Sequence, residues 1–168
     1  MTIALKLAPG FHLRAATADD AALMLALFAA GRQAELDLLP LNPEQKAQLL
    51  RMQFQAQTQA YRAQYPQADY QLLEREGRAI GRLLLAEQAA ALWLVDIALL
   101  PQYQRLGLGT ALVSALLVEA ESKSLPVHLH VARANPALRL YQRLGFQRVE
   151  RQDDAVYAHL CFGGQAAC

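Results

Sequence analysis

An apolar run over residues 89–100 stops at Pro101, and after a turn carrying Gly107 and Gly109 the chain resumes as an amphipathic helix. The run is apolar at odd and even positions alike, so it reads as a central strand covered on both faces. Its one ionisable side chain is Asp96. In the helix, Leu108, Ala111, Leu112, Ala115 and Leu116 recur at i, i+3, i+4, i+7 and i+8, one apolar stripe. A buried strand feeding such a helix points to a layered α/β domain. The first turn of a helix has backbone N–H groups without intrahelical partners, and its dipole favours negative charge. Glycine lets a ligand approach that backbone closely. The turn over residues 104–110 is therefore a candidate anion site.

The remaining pattern fits one mixed α/β domain over residues 1–168, with its core at about 11–162 and a frayed tail at 163–168. Residues 11–16 read as a strand. Thr17 caps a helix whose first turn holds Asp19 and Asp20 and which ends near Gly31. The link over 33–41 carries Glu35 and Asp37 among leucines. Asn42, Pro43 and Gln45 form the start of a second helix, which Pro66 stops. Residues 69–76 and 78–87 read as a hairpin turning at Gly77. Strand 127–131 follows the glycine-bearing helix, a short helix runs from Asn135-Pro136 to Gly145, and strands 146–151 and 156–162 close the chain. The expected order is β-α-α-β-β-β-α-β-α-β-β.

Apolar residues make up 54% of the chain and charged residues 18%, which excludes a disordered polymer. The net charge is +1, so no basic excess points to nucleic acid or an anionic membrane. No stretch reaches the roughly 18 uncharged residues of a membrane span. Residues 1–10 lack the apolar segment of a secretory signal. Cys161 and Cys168 form no CxxC pair and read as reduced thiols of a cytoplasmic protein.

Two familiar phosphate motifs do not match. The dinucleotide fingerprint needs a third glycine and an early βαβ unit, and a P-loop needs a lysine after its last glycine. Taken alone, Gly107 and Gly109 read equally well as residues that let the helix pack closely on its strand.

The context narrows the reading. Gln104-x-x-Gly107-x-Gly109 follows the central strand; downstream come an apolar strand, Asn135, and then Leu140-Tyr141-Gln142-Arg143-Leu144-Gly145-Phe146. The chain in this respect resembles the GNAT-type N-acetyltransferases, whose glycine turn cradles the pyrophosphate of acetyl-CoA. The resemblance implies a sheet splayed between its fourth and fifth strands, with the donor in the splay. It implies acetyl-CoA as cofactor, held by the backbone of Gln104, Arg105, Leu106, Gly107, Leu108, Gly109 and Thr110. It also implies pairing of the pantetheine arm with strand backbone near Ile97 and Leu99. Asn135 reads equally as a helix cap and as a cofactor ligand; six positions separate it from Tyr141, where many members have seven. Tyr141 is the expected general acid to the leaving thiolate. Arg105 reads as a phosphate contact or a solvated side chain.

An alkyl ammonium must lose a proton before it can attack. Residues 92–95, where the resemblance implies a base, offer none. Asp96 is the one candidate in that strand, although regular alternation turns it away from the face of Trp93 and Val95. Glu35, Asp37 and Glu87 are weaker candidates for acceptor binding. His128 and His130 share a strand face, but a third metal ligand is missing, so no metal is expected. The reading is an acetyl-CoA-dependent N-acetyltransferase working by direct transfer in a ternary complex. Its acceptor is a small-molecule or peptide amine, and it forms a possible homodimer. The alternatives are an acetyl-CoA-binding module with little catalysis and an acyltransferase acting on protein N-termini.

Overall fold

The computed structural model describes residues 3–149 and 155–163. Seven strands form one mixed sheet in the order β1-β2-β3-β4-β5-β7-β6. β1 (Phe11–Ala15) leads through a short 3₁₀ turn into α1 (Ala21–Ala30). There the Asp20 carboxylate accepts from the Thr17 N–H and hydroxyl, and Arg14 pairs with it at 2.7 Å. The link over 33–41 contains a helix not expected from the sequence, α2 (Gln33–Asp37). It is a five-residue helix held by the Gln33–Asp37 side-chain bond and by burial of Leu36. α3 (Pro43–Gln64) starts at Asn42 with both bonds of the capping box formed.

β2 (Asp69–Arg75), β3 (Arg78–Gln88) and β4 (Ala91–Leu99) are antiparallel neighbours. Gly81 allows β3 to approach the end of β4: a Cβ there would stand 2.7 Å from the Ala98 carbonyl. α4 (Leu108–Ser122) packs under the sheet through Leu112, Val113, Leu116, Leu117 and Ala120. Ala111 of the expected stripe is exposed, so the buried face is rotated toward Val113 and Leu117. β5 (Val127–Ala132) lies parallel to β4, and α5 (Ala137–Arg143) follows it. The expected strand at 146–151 is only β6 (Gln147–Arg148), and residues 150–154 lie outside the described residues. β7 (Tyr157–Phe162) pairs with β5 and β6. Most of the expected tail, 164–168, also lies outside them.

The two faces of the sheet differ. Leu83, Leu85, Leu92, Leu94 and Leu129 join α4, Tyr141 and Phe146 in the main core. The opposite face meets α1 and α3, where Phe28 packs on Phe54 and Tyr65 on Trp93. The reduced-thiol expectation is corrected at Cys161, which is disulfide-bonded; Cys168 lies outside the described residues. No described helix is long and apolar enough to cross a membrane.

Candidate active site

The sheet opens where the sequence expectation puts the splay. β4 and β5 pair through only three positions, Leu92 with Val127, Trp93 with His128, and Leu94 with Leu129. Beyond Leu94 the strands part, and the β5-side edge of β4 over residues 95–99 has no strand partner. Such an edge presents backbone donors and acceptors to whatever enters the gap.

A bulge lies at the same place. Leu85 pairs with Leu94 and Leu84 with Asp96, which makes Val95 the extra residue. One inserted residue reverses the alternation beyond it. Asp96 therefore shares the face of Trp93, contrary to the expectation for a regular strand. Its Oδ2 accepts from Arg82 Nε at 2.6 Å, and Arg82 Nη2 donates to Gln57 Oε1 on α3. Arg82 is buried, and the pair lies between sheet and helix.

Several cavities adjoin here. A cleft of about 440 Å³ fills the splay, lined among others by Val95, Asp96, His130, Asn135 and Tyr141. A groove of about 470 Å³ runs from Tyr141 past Ile97 and Leu99 to Gln104 and Gly109. A third cavity, of about 430 Å³, lies under α1 and α3 and reaches the cleft at Gln57, Tyr61 and Asp96.

At the far end of the groove, Gly107 precedes α4 with φ +81°, a conformation that favours glycine. The first backbone bond of α4 in this turn is Ala111 N–H to the Gly107 carbonyl at 2.9 Å. The amides of Leu108, Gly109 and Thr110 thus precede the helical ladder and are open to an anion. Leu108 is half-buried, its side chain packed against the smaller core of Leu73, Ile80 and Leu112. Gln104 Nε2 donates to the Leu99 carbonyl at 2.8 Å, pinning the turn to the end of β4. Arg105, with φ +60°, and Leu106 are exposed on the turn. Asn135 Oδ1 accepts from the Ala137 N–H at 2.9 Å, so its capping role is present while it lines both cleft and groove.

Tyr141 is buried on α5, edge-on to Phe146, and lines both cleft and groove. Burial, aided by the charge of Asp96, pushes its hydroxyl up to about 12. The same two causes raise Tyr61. Both phenols are neutral donors at physiological pH.

Several lining residues escaped the sequence reading. Arg82 and Gln57 carry no motif, and only the strand bulge brings Arg82 to Asp96. Tyr61 carries no motif either, and the packing of α3 on the sheet is what brings it to the cleft. The histidines sit on the Trp93 face: His128 is buried, its Nδ1 2.9 Å from His159 Nε2, and His130 is exposed at the cleft. Burial lowers the pKa of His128. No group of three or more His, Cys, Asp or Glu side chains among the described residues is placed to hold a metal. Glu35 lines the cleft, whereas Glu87 faces Lys123 away from it.

A gap of this shape, with an anion cradle at one end and a neutral phenol at the other, suits a long donor with a phosphorylated head. That is the class of the CoA-dependent acyltransferases. The chain belongs to the Acetyltransferase (GNAT) family, which residues 36–146, more than half of its length, match. It is an acetyltransferase of this family, whose members use acetyl-CoA as donor. An N-alpha-acetyltransferase of Sulfurisphaera tokodaii is 44% identical over 59 residues, 33% of this chain. The match spans 35% of that relative's length. The fold is similar to the PaiA N-acetyltransferase of Thermoplasma acidophilum, solved with coenzyme A, at 15% identity and TM-score 0.67, covering 92% of this chain and 99% of that one. It is similar as well to the ribosomal L7/L12 alpha-N-protein acetyltransferase RimL, also solved with coenzyme A. That pair has 14% identity and TM-score 0.63, with 95% of this chain and 97% of the other covered.

Proposed function

We propose that the protein moves the acetyl group of acetyl-CoA directly to an amine held with it in one ternary complex, Tyr141 serving the leaving sulfur. The observation that carries this reading is the position of Tyr141: one buried, protonated hydroxyl where the donor groove opens into the cleft. Acetyl-CoA supplies an acetyl thioester whose leaving group is a thiol.

The residues present fit that donor. The open amides of Leu108, Gly109 and Thr110, with the turn of Gln104, Arg105, Leu106 and Gly107, bind the pyrophosphate. The free edge of β4 at Ile97 and Leu99 orients the pantetheine amides as an added strand would. Asn135 lines that path. Its side-chain oxygen is bonded to the backbone of α5, which leaves its amide nitrogen as the group that can donate to the donor.

Tyr141 donates a hydrogen bond to the sulfur as charge develops there. Its hydroxyl at about 12 stands above an ordinary thiol at about 8.5, so complete transfer of its proton is uphill by on the order of 5 kcal/mol. The phenol therefore works mainly by stabilising the thiolate, with proton transfer completed as the product leaves. Asp96 draws the acceptor ammonium into the cleft through the carboxylate oxygen that Arg82 does not use. The proton that the ammonium must lose before attack leaves to the solvent that fills the open cleft.

Free-thiol release from acetyl-CoA, measured over a panel of amines beside a thermal-shift titration with CoA, tests this reading. Amine-dependent release with a stabilising shift supports it. A shift without release on any amine removes the transfer step, and no shift at all removes the donor site.

A further inference from the structure

The third cavity has no part in holding the donor. Its floor is Tyr70, Arg82, Leu84 and Asp96 on β2, β3 and β4, and its roof is the start of α1 with Phe54, Thr58 and Tyr61 of α3. Ala18 and Ala21 leave space, and Met24 and Phe54 supply apolar wall. Gln57, Tyr61 and Asp96 line both this cavity and the cleft, so a molecule with its amine at Asp96 has room here for its substituent.

The polar groups define what that substituent carries. Arg82 is buried and neutralised by Asp96, and its Nε and Nη2 are engaged. The Tyr70 hydroxyl is fully buried beside the Arg62 guanidinium, and no group accepts its proton. Burial raises its pKa, so it is a neutral donor at physiological pH. A buried polar atom left unsatisfied is costly, and a ligand oxygen would satisfy it. Arg62 also lines the cavity. Asp96 is the one carboxylate there and already faces Arg82, so no acid remains to receive a second cation.

We infer that this cavity is the specificity recess for the acceptor. It takes amines whose substituent is uncharged and mainly apolar, of the bulk of an aromatic or thioether side chain, tipped by a hydroxyl or carbonyl oxygen. Amines with a second, distal cation are rejected. The inference rests on the proposed transfer reaction and names the acceptor class for it.

The test compares tyramine, phenethylamine, ethylamine and spermidine as acceptors by thiol release, with CoA affinity measured in parallel. Tyramine is expected to exceed ethylamine and spermidine by about 10–100-fold in kcat/KM, the scale set by burying an aromatic side chain. Met24→Trp and Ala21→Leu, which fill the recess, should lose that preference while ethylamine turnover and CoA affinity stay unchanged. Tyr70→Phe should narrow the gap between tyramine and phenethylamine. Spermidine as the best substrate, or filling variants that depress every amine equally, would overturn the inference and leave the transfer reaction standing. Bound CoA without thiol release from any amine sinks the transfer reading and this inference with it.

Discussion

Arg82 and Asp96 face one another across β3 and β4, Nε to Oδ2 at 2.6 Å, only because Val95 is an extra residue in its strand. Without the bulge, Asp96 would point into the apolar core beside Leu94. With it, the carboxylate lies at the junction of the donor cleft and the recess under α3.

This pair should be strongly coupled. Removing one partner leaves a largely buried charge uncompensated, which costs about 3 kcal/mol or more. Asp96→Ala and Arg82→Met are each expected to lower unfolding stability by that order in denaturant titrations. The double variant should lose less than the two singles added together by about 1–3 kcal/mol. Additive losses would show that the two charges do not depend on each other.

Replacing Tyr141 by Phe should lower kcat by about 10–1,000-fold, within the usual range for a positioned proton donor. Affinity for acetyl-CoA should change little, because the proposed donor contacts are mainly backbone amides. In the wild type, the phenol at about 12 keeps its proton through neutral and mildly basic pH. No loss of activity below about pH 10 should therefore trace to Tyr141. An unchanged kcat in the Phe variant excludes the role.

The two glycines of the turn should respond differently. Gly107→Ala forces a left-handed conformation on a side chain at an expected stability cost of about 1 kcal/mol. It should weaken CoA binding by distorting the amides that follow. At Gly109 an added Cβ meets only Leu140, at an ordinary 3.8 Å, so Gly109→Ala should fold as well as the parent. Calorimetric titration with CoA checks both, and equal affinities for the Gly107 variant and the parent would contradict the cradle.

Stability should fall in acid partly through Asp20. The Arg14 guanidinium and the Thr17 N–H hold its carboxyl well below the usual carboxylate range. A depressed folded-state pKa adds stability above the unfolded value near 4, and that stability is lost as pH falls toward the folded value. Asp20→Asn should therefore be less stable than the parent at pH 7, with the gap closing below about pH 4. Thermal unfolding across pH 2–7 reads it; a constant gap would mean that the Asp20 charge is not involved.

The sequence made the element order and the glycine turn legible because each rests on local pattern: two-residue or helical periodicity, caps such as Asn42 and glycines at turns; the splay followed only from the resemblance that the linked motifs carry. It did not reveal the bulge at Val95, since an apolar run carries no local mark for an inserted residue, and so it turned Asp96 the wrong way. α2 was hidden because five residues are too few to show a period, and Arg82 was missed because its partner is set by tertiary register. The rotation of the buried face of α4 has the same origin: which flank of an apolar stripe is covered depends on the sheet beneath it.

The most direct measurement is a crystal structure with CoA bound. The pyrophosphate is expected on the amides of Leu108, Gly109 and Thr110, the pantetheine along β4 at Ile97 and Leu99, and the sulfur within hydrogen-bonding reach of the Tyr141 hydroxyl, about 3–3.5 Å. A pyrophosphate bound elsewhere, or a sulfur remote from Tyr141 with the splay empty, would contradict this placement.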